Sequence, residues 1–186
     1  YIIGFIGIGL LLILTIFGNH NNYFDIYLFL IFIIIEILLE KTSIKIGDFA
    51  ITLDVIVTIS SYVIFGVIPT LWLDFFAMFV YQVLIERKPL NKNLFNLGMF
   101  ILTILLSHAI ILITRNYPSG IEGIENKLRI VLFGLLYYVF NWFFILLQIF
   151  IEKGQIPKSL IESMVWDFCT NFIVIPLSIF LIISNE

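Results

Sequence analysis

A chain of 186 residues that is 61% hydrophobic and 12% charged, with a mean hydropathy of +1.12, cannot enclose its apolar surface in one water-soluble core. An all-α, polytopic membrane helix bundle is expected, and the length allows six or seven spans of about 20 residues with short loops and no second domain. The formal charge of −3 comes without a basic stripe, which excludes nucleic acid and leaves the lipid bilayer as the expected partner. A single cysteine, Cys169, cannot close an intramolecular disulfide and reads as core filler. Apolar sequence begins at once after Tyr1, with no small-residue cleavage site before "GNHNN". No signal peptide is read, and residues 1–186 are expected to be one transmembrane domain of a longer polypeptide.

In chain order, apolar runs at about 2–17, 24–40, 51–66, 68–86, 94–114, 128–151 and 159–183 predict seven membrane helices. The first carries only Thr15 and reads as a lipid-facing addition. The second places Glu36 and Glu40 one turn apart. The third is short, opens at "ITLD" and puts Asp54, Thr58 and Ser61 on one face. It ends at Gly66, and Pro69 suits the first turn of the fourth, so the two form a tight hairpin. The fourth carries Asp74, Met78, Tyr81 and Gln82 on one face, and the fifth Asn96, Thr103 and Ser107. The sixth aligns Tyr137, Asn141 and Gln148, and the seventh Asp167, Asn171 and Ser178. The connections "GNHNNY", "KTSIKIGDFA", "RKPLNKN", "RNYPSGIEGIENK" and "EKGQIPK" are polar, as backbone that meets water or headgroups must be.

An ionised side chain facing lipid at mid-bilayer costs about 2.5–3.5 kcal/mol on insertion scales, so these stripes are expected to face inward. Glu36, Glu40, Asp54, Gln82, Asn96, Gln148 and Asp167 all lie in the half of their helices nearer the loops that follow helices two, four and six, here called side A. A polar recess opening on side A follows. Glu36, Asp54, Asn96, Asn141, Asp167 and Asn171 are the expected ligand-binding residues, with Tyr81 and Trp142 as stacking partners. The plainer alternative is that such residues serve only as interhelical hydrogen bonds of about 0.6 kcal/mol each, and that the aromatic residues pack or anchor at the interface.

No catalytic chemistry is legible. His108 and Cys169 lack a base-orienting partner at a recognisable spacing, two histidines make a metal site unexpected, and there is no G-x-S-x-G. The "GFIGIG" run lies inside apolar helix rather than after a strand, which argues against phosphate binding. An enzyme, a metal and a cofactor are therefore not expected.

The stretch from "IKIGDFAITLDVIVTISSYVIFGVIPTLWLDFF" to "ERKPLNKNLFNLGMFILTILLSHAI" resembles the N-terminal membrane domains that precede diguanylate cyclase or HD-type phosphohydrolase domains in bacterial signalling proteins. Those vitamin-uptake-like sensor domains are similar to the S subunits of energy-coupling-factor transporters. The resemblance rests on an amphipathic loop, "ITLD" opening a short helix, the Gly-x-x-Pro hairpin and basic residues before "LFN", and covers about residues 24–183. It implies a six-helix core with the first helix added, a multi-pass domain in the bacterial cytoplasmic membrane, and a small-molecule ligand entering from outside. It also implies a cytoplasmic C-terminus leading into a cyclic-dinucleotide output domain, through which a homodimer would form. An S subunit that captures a vitamin-like solute is the alternative. The A-x-x-x-A type stripe that docks S subunits on their coupling subunit is missing from "FDIYLFLIFIIIEILLE", which favours a sensor.

Membrane orientation is left open by two opposed considerations. Side A carries Lys41, Lys45, Arg87, Lys88, Lys92, Lys153 and Lys158, against Arg115, Lys127 and Arg129 on the other side, which puts side A in the cytoplasm. A ligand recess open to the outside puts it there instead.

Overall fold

The computed structural model describes residues 2–18, 25–42, 44–46, 49–51, 53–114 and 124–183. Helix α1 spans Ile2–Phe17, α2 Ile26–Lys41, α3 Val55–Phe65, α4 Val67–Phe79, α5 Leu90–Thr114, α6 Ile124–Lys153 and α7 Lys158–Ile183. A π-helical segment, Val80–Ile85, prolongs α4. Between α2 and α3, strands β1 (Ile44–Ile46) and β2 (Phe49–Ile51) pair antiparallel, Ile44 facing Ile51 and Ile46 facing Phe49. Asp48 and Arg115 lie outside the described residues, as do the side chains of Lys45, Lys127 and Ser178.

Local chemistry sets the helix ends. Asp25 caps α2, its Oδ1 accepting from the backbone N–H of Tyr27 (2.9 Å) and Leu28 (3.2 Å), which satisfies donors that hydrocarbon cannot. Asp54 does the same for α3 through Val55 N–H (3.0 Å). Gly66 holds φ 84°, a left-handed conformation that lets the chain reverse directly into α4. α3 has 11 residues and is about 16 Å long, roughly half the hydrocarbon thickness. In the antiparallel pair, Thr58 lies beside Asp74, so Asp54 is level with about Met78. The fourth helix runs on through its π segment to Ile85, about 10 Å further. The N-terminus of α3 is therefore sunk below the side A end of its neighbour, and the β-hairpin supplies the connection down to it. The sequence reading started this helix at about 51; Ile51 belongs instead to β2.

α1 is more than a lipid-facing addition. It runs parallel to α5, and Gly7 lies so close that a Cβ built on it would sit 2.5 Å from the Gly98 carbonyl oxygen. Leu11 is fully buried, and Thr15 Oγ1 accepts from Trp72 Nε1 (2.9 Å). The opposite face of α1 exposes Ile2, Phe5, Ile13, Ile16 and Phe17.

The central core joins Leu11, Ile59, Leu71, Ile101, Ile104 and Phe133 from α1, α3, α4, α5 and α6. Tyr62 stacks on Phe133 with ring centroids 3.9 Å apart and bonds His108 Nδ1 through its hydroxyl (2.7 Å). Outward, Ile31, Ile34, Leu38, Leu84, Val139, Phe143 and Phe150 are exposed while Glu36, Asp54 and Asp74 are buried. That inversion suits hydrocarbon as the solvent. Three helices, Val67–Ile85, Leu90–Thr114 and Leu128–Lys153, are long and apolar enough to cross a membrane. The chain is an all-α membrane protein.

The glycine contact yields a paired test. Gly98→Ala must push α1 off α5 and is expected to destabilise by about 1–3 kcal/mol, read as a fall of several degrees in Tm in detergent. Gly9, with nothing within 4 Å of its would-be Cβ, should accept alanine with no loss. Equal Tm values for the two variants would refute close α1–α5 packing.

Candidate functional site

Four acidic side chains converge where α2, α3 and α4 meet. Glu36 and Glu40 project from one face of α2, Asp54 opens α3 and Asp74 lies midway along α4; all four are buried, Glu36 and Asp74 to within 2% of full burial. Thr58 Oγ1 donates to Asp74 Oδ2 (3.2 Å). Glu36 feels Asp74, Asp54 and Glu40 electrostatically, in that order, and no cation among the described residues acts on Glu36 or Asp74. Tyr137 reaches in from α6, its hydroxyl within electrostatic range of Asp54, Asp74 and Glu36. That hydroxyl is also in hydrogen-bonding reach of Thr58, whereas Glu36 Oε2 has no hydrogen-bond partner among the described residues.

Toward side A the cluster opens into a more conventional polar edge. Lys88 acts on Glu40 but is ion-paired with Glu86 at 2.5 Å. Tyr81, buried in the π segment, stands between Glu86 and Glu40. Gln82, also in that segment, accepts from Asn96 Nδ2 on α5 (3.1 Å), and its own Nε2 rests on Met78 Sδ (3.6 Å). The π turn brings both Tyr81 and Gln82 to the inner face, a use of such segments common at functional sites.

A second polar group joins α6 to α7. Trp142 Nε1 donates to Asp167 Oδ2 (2.6 Å), Asn171 Nδ2 donates to Asp167 Oδ1 (3.1 Å), and the Tyr138 hydroxyl donates to the Met164 carbonyl (2.8 Å). Asp167 also feels Asp54, so α3 lies between the two groups.

The eight residues expected at the site thus divide. Glu36 and Asp54 are central to the carboxyl cluster, Tyr81 stands at its mouth, and Asn96 is attached to it through Gln82. Trp142, Asp167 and Asn171 form the α6–α7 group, in which the Trp142 ring edge is committed to Asp167 rather than free for stacking. Asn141 is half-buried on α6, and its buried side-chain oxygen has no partner among the described residues. Glu40, Asp74, Thr58 and Tyr137 complete the cluster; their helical spacing marked them as inward-facing but could not say that they meet.

A separate cavity of about 560 Å³ lies between the side A ends of α1, α5 and α6. Ile2, Ile3, Phe95 and Ile151 line it with Asn91, Lys92, Gln148 and Glu152, and none of the eight expected residues borders it. Among the described residues, no three of His, Cys, Asp or Glu come close enough together to hold a metal ion. Comparison with protein-family models, curated proteins and solved structures finds no match to this chain.

The Trp142–Asp167 bond is testable by a double-mutant cycle. Trp142→Phe and Asp167→Ala should each lower Tm, and together cost less than their sum, with a coupling of about 0.5–3 kcal/mol. Strict additivity would mean that the two side chains do not interact.

Proposed function

We propose that this chain is a ligand-sensing membrane domain, holding a small molecule in the recess between α2, α3, α4 and α6 and passing its occupancy on through α7. The observation that carries this reading is the buried carboxyl cluster, in which Glu36 Oε2 has no hydrogen-bond partner among the described residues. A polar atom buried without a partner loses about 1–3 kcal/mol, and a group that arrives with matching hydrogen bonds recovers it. Intramembrane ionisable residues are candidates for a functional site by default.

The rest of the proposal follows the sequence resemblance. The domain is multi-pass in a bacterial cytoplasmic membrane, α2 to α7 form a core of S-subunit type, and the C-terminus leads to a cytoplasmic output domain. A ligand that binds one arrangement of α3 against α7 more tightly than another shifts the population of the two, and with it the output.

Native mass spectrometry of the purified domain tests the reading. A copurified species of a few hundred daltons is expected on the wild type and is expected to be lost in Asp54→Asn. Asparagine keeps the capping oxygen that α3 needs, so this variant should express and melt near normally. Undiminished occupancy in Asp54→Asn would remove Asp54 from the site, and a bare wild-type protein showing no thermal shift across a metabolite panel would remove the ligand.

A further inference from the structure

We infer that the cavity between the side A ends of α1, α5 and α6 is a phospholipid site, taking a zwitterionic phosphoethanolamine head group with its phosphate toward Lys92 and its ammonium toward Glu152. This site lies apart from the carboxyl cluster, and its occupancy does not depend on the ligand-sensing reading.

The cavity is amphipathic by depth. Its volume of about 560 Å³ falls within the span of small-molecule sites, about 300–1,000 Å³. Ile3 and Phe95 line its inner wall, and Met99 and Phe144, each a turn deeper on its helix than the lining residues Phe95 and Gln148, close the bundle below. At the rim Ile2 and Ile151 are 76% and 70% exposed, so the opening runs on into the lipid-facing surface. The polar members are Asn91 and Lys92 in the first turn of α5, with Gln148 and Glu152 near the end of α6. A polar solute would leave the isoleucines and Phe95 uncovered, and a hydrocarbon would leave two charges unanswered. An amphiphile meets both, and the bilayer supplies one.

The two charges stand apart across the cavity. Lys92 forms no ion pair among the described residues, with Glu152 or with any other acid. Glu152 Oε1 accepts from Gln148 Nε2 (3.0 Å), which leaves Glu152 Oε2 and Gln148 Oε1 as open acceptors. Each charge also opposes the dipole of its own helix, since cations are disfavoured in a first turn and anions in a last one. Lys153, the favourable cation at that end of α6, does not line the cavity. The α5 wall is therefore positive and the α6 wall negative, a field that a zwitterion matches and a single net charge does not.

Hydrogen bonding narrows the head group. A phosphate accepts from the Lys92 ammonium and the Asn91 amide. A primary ammonium brings three N–H donors to Glu152 and Gln148. The trimethylammonium of a choline head group brings none, and a glycerol head group leaves the negative wall facing an uncompensated phosphate.

The test titrates the purified wild-type domain, delipidated in detergent, with dioleoyl phosphatidylethanolamine, phosphatidylcholine and phosphatidylglycerol, read by native mass spectrometry. Phosphatidylethanolamine is expected to bind about two- to fivefold more tightly than the other two, the strength of one exposed ion pair. Glu152→Gln should erase that preference and leave the affinity for phosphatidylcholine unchanged, while Lys92→Gln should weaken all three lipids about fivefold. Both positions are exposed, so each variant should keep the wild-type Tm. The ranking on the wild type needs no variant: equal affinity for the three lipids, or binding of none, overturns the inference, and a preference for phosphatidylglycerol overturns the zwitterion. A phosphatidylethanolamine preference that survives both substitutions puts the lipid elsewhere and overturns the site. Glycerophosphoethanolamine, the same head group without chains, should not compete at the lipid's own concentration; displacement by it would overturn a membrane lipid as the occupant.

Discussion

Acid inside hydrocarbon is the constraint that organises this molecule. Each carboxyl group turned toward lipid would cost about 2.5–3.5 kcal/mol on insertion scales, so the helices that carry Glu36, Asp54 and Asp74 must keep those faces together, and other helices must wall them off. Asp54 adds a backbone requirement, since its side chain closes the first turn of α3. Fixing that turn beside Asp74 leaves α3 with 11 residues before the reversal at Gly66. The short helix, the hairpin that reaches down to it and the π turn that carries Tyr81 and Gln82 inward all follow from where the acids sit.

Holding such a bundle together cannot depend on hydrophobic burial between helices, because lipid tails are as apolar as leucine. Close contact and hydrogen bonds take over that role. On the α1 side, Gly7 and Gly98 let two backbones touch. Away from the acids, Tyr62 stacks on Phe133 while bonding His108, tying α3 to α5 and α6. Phe29 and Phe32 meet Phe65 edge-on, which seats α2 against the end of α3. The acidic region is thus braced by aromatic and small-residue contacts that lie outside it.

Much of this was legible along the chain and little of it across the chain. Length and hydropathy located the helices, because hydrocarbon thickness dictates run length, and Gly66 and Pro69 marked the tight reversal because their backbone preferences allow little else. Spacing of three and four put Glu36 beside Glu40 and Asn171 beside Asp167. What spacing cannot supply is the identity of neighbours on other helices: Asp74 and Tyr137 were inward-facing from sequence, but only packing brings them to Glu36. α1 was misjudged for a related reason, since its only polar side chain suggested a helix with no role inside. The usable signal was Gly4 and Gly7 with Gly98, small residues that permit close approach. The β-hairpin was obscured by the apolar Ile51, which hydropathy assigns to the helix and pairing assigns to Ile44.

The position of α3 also links the carboxyl cluster to a distant helix. Its N-terminus belongs to the carboxyl cluster, its neighbour on the other flank is α7, and Asp54 acts electrostatically on Asp167 across that boundary. Asp167 in turn is fixed by Trp142 of α6 and Asn171 of its own helix. A charge introduced beside Asp54 therefore changes the field at the residue that joins α6 to α7, with no need for a chain of moving side chains between them. Coupling of this kind depends on α3 being short: a full-length third helix would carry its acid to the membrane surface, where water and salt screen it, and the two polar groups would no longer act on each other.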